Sequence, residues 1–154
     1  MKEILLVTGG NGYIGYDFTE FAALVGFRII LLGRREVRAS RRQNIQLIRW
    51  SMTSEIPDKA IKEAMGDGRI IAVVHLAHDW ENDRLNDGKE NIQCCKNILE
   101  YTRRIGCPKF IFASSVNAGK KARNAYGRVK WQQEQLLKNP GEIAARIGFV
   151  YGGK

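Results

Sequence analysis

The sequence predicts an α/β protein built on a doubly wound parallel sheet in three αβα layers. Six short apolar runs alternate with longer amphipathic stretches, the pattern of strands joined by crossover helices. The runs are continuously apolar rather than alternating, as in Ile29-Ile30-Leu31-Leu32, so both strand faces are destined for burial under helices. The first run, Ile4-Leu5-Leu6-Val7, leads straight into Thr8-Gly9-Gly10-Asn11-Gly12-Tyr13-Ile14-Gly15 and then into helical periodicity: a strand, a glycine turn and a helix start.

Taken in order, strands are expected at 4–7, 27–32, 45–48, 70–77, 109–113 and 143–150, with helices near 13–25, 57–65, 84–105 and 124–138. The segment 34–44 is too basic and too short for more than a loop or a frayed turn. Right-handed crossovers leave few topologies, and the strand order 3-2-1-4-5-6 is the one that puts the first turn at the switch point. Two stretches fit that pattern less well: the short connection between the second and third strands, and 78–88, which holds His78, Trp80 and the acids Asp79, Glu81, Asp83 and Asp87. There is no internal repeat and no low-complexity linker.

A chain of 154 residues is one domain long, so residues 1–154 are expected to form a single dinucleotide-binding domain with one substantial core. The net charge of +9 and pI near 9.7 favour anionic partners. Arg34, Arg35, Arg38, Arg41 and Arg42 fall within nine positions, and a solvated basic loop accounts for them as well as a binding role does. Nucleic acid is not an expected partner, because charge alone supports it and no aromatic residues interleave the arginines. Cys94, Cys95 and Cys107 have neither metal-ligand spacing nor a disulfide framework, which predicts reduced thiols, no metal and a cytoplasmic setting. No signal segment and no apolar run of membrane-spanning length is present, so a soluble protein without a membrane partner is expected.

Gly9, Gly12 and Gly15 suit a backbone that turns tightly, approaches a pyrophosphate and lets the helix pack on its strand, with helix N-terminal amides facing the phosphates. Cofactor choice is read at the end of the second strand, where an acid would bind the adenosine ribose and an arginine would accommodate a 2′-phosphate. Gly33-Arg34-Arg35 offers no acid, so Arg34, with Arg35 as backup, points to NADP over NAD. Tyr126 and Lys130 are four apart and share a helix face, and Ser114 and Ser115 emerge where Phe110-Ile111-Phe112-Ala113 ends, at the strand end where open parallel sheets bind ligands.

The ordered segments TGGNGYIG, HLAH, FIFASS, YGRVK and ARIGFVYGG resemble the short-chain dehydrogenase/reductase superfamily, most closely its extended branch of nucleotide-sugar epimerases and dehydratases. The resemblance covers essentially the whole chain. It implies a Rossmann-type fold and a nicotinamide dinucleotide held by Gly9, Asn11, Gly12, Tyr13, Ile14 and Gly15 and by the Leu76-Ala77-His78 segment. It also implies a reaction in which Tyr126 exchanges a proton with a substrate alcohol or carbonyl while hydride moves to or from the nicotinamide. Ser115 would hydrogen-bond the reacting oxygen, with Ser114 or Asn117 the fallback, and Lys130 would favour the phenolate and hold the nicotinamide ribose.

The chain departs from the family pattern at several points. Ser51-Met52 stand where the family usually has an adenine-contacting Asp. Ser115 and Tyr126 are only eleven residues apart, a shorter loop than usual. For His78 a polar loop role outweighs a catalytic one, since nothing else in the sequence pairs with it, and for Asn91 helix capping outweighs a functional role. Extended members continue past the ARIGFVYGG-like strand into a region that forms much of the substrate pocket. The resemblance therefore implies either an epimerase, dehydratase or reductase acting on a nucleotide sugar or similar polar alcohol, or a catalytically incomplete NADP-binding module, sensor or fragment of a larger enzyme. An open pocket would also favour self-association into a homo-oligomer.

Overall fold

The computed structural model describes residues 2–34 and 42–151. Six strands, β1 (Glu3–Thr8), β2 (Arg28–Gly33), β3 (Ile45–Arg49), β4 (Arg69–His75), β5 (Phe110–Ser115) and β6 (Glu142–Ile147), form one sheet in the order β3-β2-β1-β4-β5-β6. Every pairing is parallel, and the order is the one expected from the crossovers. The helices are α1 (Tyr13–Leu24), α2 (Asp58–Met65), α3 (Trp80–Asn86), α4 (Lys89–Arg104) and α5 (Ala125–Glu134). None of the described helices is long and apolar enough to cross a membrane.

The continuous apolar runs serve two cores because successive side chains leave a strand on opposite faces. Ile4, Leu6, Ile30, Leu32, Phe110 and Phe112 meet Ile61 of α2 and Cys95, Ile98 and Leu99 of α4. Leu5, Val7, Ile29, Leu31, Ala72 and Val74 meet Ala22 and Ala23 of α1. Burial pushes the Cys94 and Cys95 thiols up to about 12, which makes them packing groups rather than nucleophiles.

Three expected boundaries shift, each for a tertiary reason. The helix expected over 84–105 is two helices, because Asp87 (φ 51°) and Gly88 (φ 68°) are both left-handed and break the hydrogen-bond ladder. A Cβ on Gly88 would lie 2.3 Å from the Val129 side chain, so the break lets α4 approach α5 closely. Asn82 Oδ1 then accepts from the amides of Glu90 (3.1 Å) and Asn91 (3.4 Å) at the start of α4. Helix α5 stops at Glu134 rather than near 138, and Leu136 and Leu137 turn onto the core. Strand β6 ends at Ile147, and Phe149, 85% exposed, is surface rather than strand.

Gly88→Ala combines a left-handed alanine with overpacking against Val129, and each effect typically costs about 1–3 kcal/mol. Chemical denaturation should show that loss in full, whereas Asp87→Gly, which only relieves strain, should leave the midpoint unchanged or higher.

Candidate active site

A cavity of about 680 Å³ opens at the C-terminal end of the sheet, floored by the exits of β1, β4 and β5. Its first wall is the glycine turn, whose glycines do different jobs. A Cβ on Gly9 (φ 76°) would lie 2.4 Å from the Ala77 nitrogen, and one on Gly15 would lie 2.1 Å from the Gly9 carbonyl oxygen. Those two are required by the protein's own packing. A Cβ on Gly12 would meet only the Gly9 oxygen, at 3.2 Å, so this glycine leaves the turn open on its cavity side. Gly12 is the N-cap of α1, no side chain caps it and the first turn holds no acid, leaving the positive end of the helix dipole directed at the cavity. Asn11, Tyr13 and Ile14 line the same wall.

Arg34, exposed at the end of β2, lines the cavity, and Arg35 lies outside the described residues. Met52 lines it too, but Ser51 does not: its hydroxyl pairs with Thr53 Oγ1 at 3.2 Å. Trp50, which no motif singled out, lines that end with an indole N–H lacking a partner among the described residues. Leu76, Ala77 and His78 form the wall after β4. Beneath them Thr8 Oγ1 lies 2.7 Å from His75 Nδ1 and accepts from the Ala77 amide at 3.3 Å, which locks β1 to β4. Burial holds the His75 imidazole down at about 3, so it is neutral there.

At the other end, Ser115, Tyr126 and Lys130 come together. Asn124 caps α5 by accepting from the Gly127 amide at 2.8 Å, and Gly127, whose Cβ would lie 2.4 Å from the Asn117 oxygen, lets the helix start close against the loop. The eleven-residue connection is therefore long enough. Ser115 Oγ accepts from the Asn117 amide at 3.1 Å and hydrogen-bonds the Tyr126 phenol. Ser114 lines the cavity as well, but its hydroxyl is engaged, donating at 2.5 Å to Glu134, which Arg146 grips at 2.9 and 2.7 Å. Lys130, 3% exposed, donates from Nζ to the Ala113 carbonyl at 2.8 Å and lies 5.6 Å from the centre of the Tyr126 ring.

The expected lowering of the Tyr126 phenol is not found. Burial pushes it up, the Ser115 hydrogen bond pulls it back only in part, and the Asp83 charge adds to the rise. Burial also brings the Lys130 ammonium down from its ordinary 10.5 to about 8.

His78 does have a partner, contrary to the sequence reading: its Nε2 lies 2.7 Å from Asp83 Oδ2. Asn91 does not cap α4. Its Nδ2 donates to Asp83 Oδ1 and to the Asp79 carbonyl, both at 2.8 Å, and its Oδ1 accepts from the Asp79 amide at 2.9 Å. Trp80 stacks on Tyr126 with centroids 4.2 Å apart. The signal for this group was the crowding of acids around His78 and Trp80, which gave no hint of which acid would turn inward.

The fold and cleft define an α/β protein of the Rossmann type with its cavity at the topological switch point. The chain belongs to the NAD-dependent epimerase/dehydratase family, whose profile matches residues 5–143. It is 25% identical over 134 residues to a Synechocystis protein provisionally named dihydroflavonol 4-reductase, covering 82% of this chain and 38% of that one. It is 29% identical over 121 residues to a Methanocaldococcus jannaschii protein provisionally named UDP-glucose 4-epimerase, covering 75% and 39%. The chain thus spans about two fifths of the length of these curated relatives. Among solved structures, the Bordetella bronchiseptica enzyme WbmH in complex with NAD+ superposes with a TM-score of 0.73 at 18% identity, covering 95% of this chain and 56% of that one. A Thermotoga maritima UDP-glucose 4-epimerase with UDP-glucose gives 0.67 at 23% identity, covering 86% and 49%. At these identities the structural likeness establishes the fold.

The depressed Lys130 value has a consequence for stability. Below about pH 8 the ammonium is charged in both folded and unfolded chains, and the cost of burying it is fully present. Between about 8 and 10.5 the unfolded chain holds more of the proton, so stability rises with pH. Lys130→Met should be more stable than the parent at pH 7, by roughly 3 kcal/mol at most, with the gap closing as pH climbs through that window. Denaturant midpoints across pH would refute this if the gap stayed constant.

Proposed function

We propose that this chain is the cofactor-binding and proton-transferring part of an NAD(P)-dependent oxidoreductase that works as an epimerase, dehydratase or reductase on a nucleotide sugar or similar polar alcohol. One observation carries the reading: Ser115, Tyr126 and Lys130 meet in the cleft whose far wall is the uncapped, Gly12-lined start of α1. The cradle fits a pyrophosphate, because among the glycines of the turn Gly12 is the least constrained by packing and it opens onto the cavity. The NAD+ bound to WbmH and the UDP-glucose bound to the Thermotoga epimerase support the cofactor and the substrate class.

In this reading Gly9, Asn11, Gly12, Tyr13, Ile14 and Gly15 hold the diphosphate, Arg34 the adenosine 2′-phosphate of NADP, Met52 the adenine end, and Leu76, Ala77 and His78 the wall by the nicotinamide. Arg35 remains a candidate second phosphate ligand, and Ser51, its hydroxyl paired with Thr53 outside the cavity lining, takes no part. Bound nicotinamide supplies or accepts hydride. Tyr126 exchanges the proton of the reacting oxygen, which Ser115 holds in place. Lys130 supplies positive charge beside the phenol, and its lowered affinity for protons lets it release one near neutral pH.

A second reading, a binding module that needs another chain to complete its substrate pocket, is favoured by the apolar surface at the rim, where Val116 is 56% and Phe149 85% exposed. In that case the partner is a second copy or a companion subunit, and the chain alone turns over slowly.

Fluorescence titration should show NADPH binding more tightly than NADH. Arg34→Ala should weaken NADPH about tenfold or more, the loss of one charge-assisted contact, and leave NADH unchanged. A preference for NADPH that survives replacement of both Arg34 and Arg35 would remove the 2′-phosphate assignment. Turnover of UDP-, GDP- or dTDP-sugars should vanish in Tyr126→Phe while cofactor binding persists. Light scattering on the same samples separates the two readings, since a monomer with Tyr126-dependent turnover of roughly 1–1000 per second eliminates the module.

A further inference from the structure

The cleft holds a second polar assembly beside Tyr126. His78 and Asp83 are hydrogen-bonded at 2.7 Å, with side chains 6% and 5% exposed. Asn91 holds the other Asp83 oxygen and both polar backbone groups of Asp79, so the carboxylate is fixed. The His78 ring stands edge-on to Tyr126, centroids 5.1 Å apart at 86°, and to Trp80, 5.2 Å apart at 75°. Burial and the nearby Lys130 charge hold the imidazole below its usual range despite the opposing pull of Asp83, so it is neutral at pH 7. Its one ring proton then sits on Nε2, where the carboxylate requires a donor, and Nδ1 carries a lone pair.

That nitrogen is buried and has no partner among the described residues. A buried acceptor left unmatched costs free energy that a native fold seldom accepts without use. The rings around it differ in exposure: Tyr126 is half-buried near the start of α5, whereas Trp80, the first residue of α3, is 64% exposed. The ligand group that satisfies Nδ1 must donate, which admits a hydroxyl and rejects a ring ether, a carbonyl or a deoxygenated carbon. The closeness of the two rings places it next to the oxygen held by Tyr126.

We propose that His78 reads the substrate: its Nδ1 accepts a hydrogen bond from the hydroxyl on the carbon adjacent to the reacting one, so the cleft selects a vicinal diol, and Trp80 gives way as that diol docks. This rests on the reading that Tyr126 and Ser115 engage a substrate alcohol. A site built to pair a hydroxyl discriminates strongly against the analogue that lacks it.

The test is calorimetric titration of the NADPH-loaded chain with UDP-glucose and with its 2-, 3- and 4-deoxy analogues. In the parent, one analogue should bind at least tenfold more weakly than UDP-glucose. Its missing hydroxyl should be adjacent to the one whose removal abolishes reduction of bound NADP+ in single-turnover absorbance. His78→Phe, which keeps a ring against Tyr126 and Trp80, should bring UDP-glucose down to that analogue's affinity and leave the analogue and UDP unchanged. His78→Asn, which can return an acceptor, should restore part of the difference. A purely structural His78 would weaken all sugars alike. Equal binding of all three analogues by the parent needs no variant and overturns the proposal, as does discrimination that survives His78→Phe or falls on a non-adjacent hydroxyl. A parent that binds NADPH but no UDP-glucose overturns the functional reading and this proposal together, whereas binding without hydroxyl dependence removes His78 alone.

Discussion

The site depends on one close backbone approach, between the turn leaving β1 and the segment leaving β4. Gly9 packs on the Ala77 nitrogen at a distance no side chain would permit, and Thr8 reaches across to His75 and to the Ala77 amide. These contacts occur at the switch point, where the connection from β1 runs toward β2 and that from β4 toward β5, leaving a crevice between them. The positive start of α1 faces that crevice from one side, and the wall of Leu76, Ala77 and His78 from the other. A bulkier residue at position 9 would push the walls apart and lose the relation between the phosphate cradle and the polar groups at β5.

Around Tyr126 the governing physics is desolvation. Lys130 is nearly inaccessible, and its ammonium is satisfied by the Ala113 carbonyl rather than by a carboxylate, so burial dominates and lowers its proton affinity. Burial moves the Tyr126 phenol the opposite way, because its charged form is the deprotonated one. Both shifts favour neutral groups, so the phenol holds its proton more tightly than the lysine does. The Asp83 charge would act against a phenolate, and its pairing with His78 and Asn91 spreads that charge over two donors.

The break between α3 and α4 makes that pairing possible. A continuous helix would carry Asp83 and Asn91 past one another, whereas the left-handed pair Asp87-Gly88 turns the chain so that Asn91 grips Asp79 and Asp83 together. Gln133 donates to the Asn91 carbonyl at 3.0 Å and ties this corner to the helix bearing Tyr126 and Lys130. The two covered faces of the sheet are unequal: α1 packs on one, while α2, α4 and the chain leaving α5 pack on the other.

By itself the sequence determined the strand order, the glycine turn and the positions of Ser115, Tyr126 and Lys130. Apolar periodicity, chirality and residue spacing are local or pairwise properties that survive in one dimension. It also separated Gly12 from no other glycine, since the difference between a glycine that packs and one that opens onto a cavity lies in what stands opposite. The partnership of His78 with Asp83, the grip of Asn91 on Asp79, the engagement of the Ser51 and Ser114 hydroxyls by Thr53 and Glu134 and the direction of the Tyr126 shift were decided only by the tertiary structure. Each depends on which groups distant in sequence share a buried volume, and burial is a property of the assembled fold.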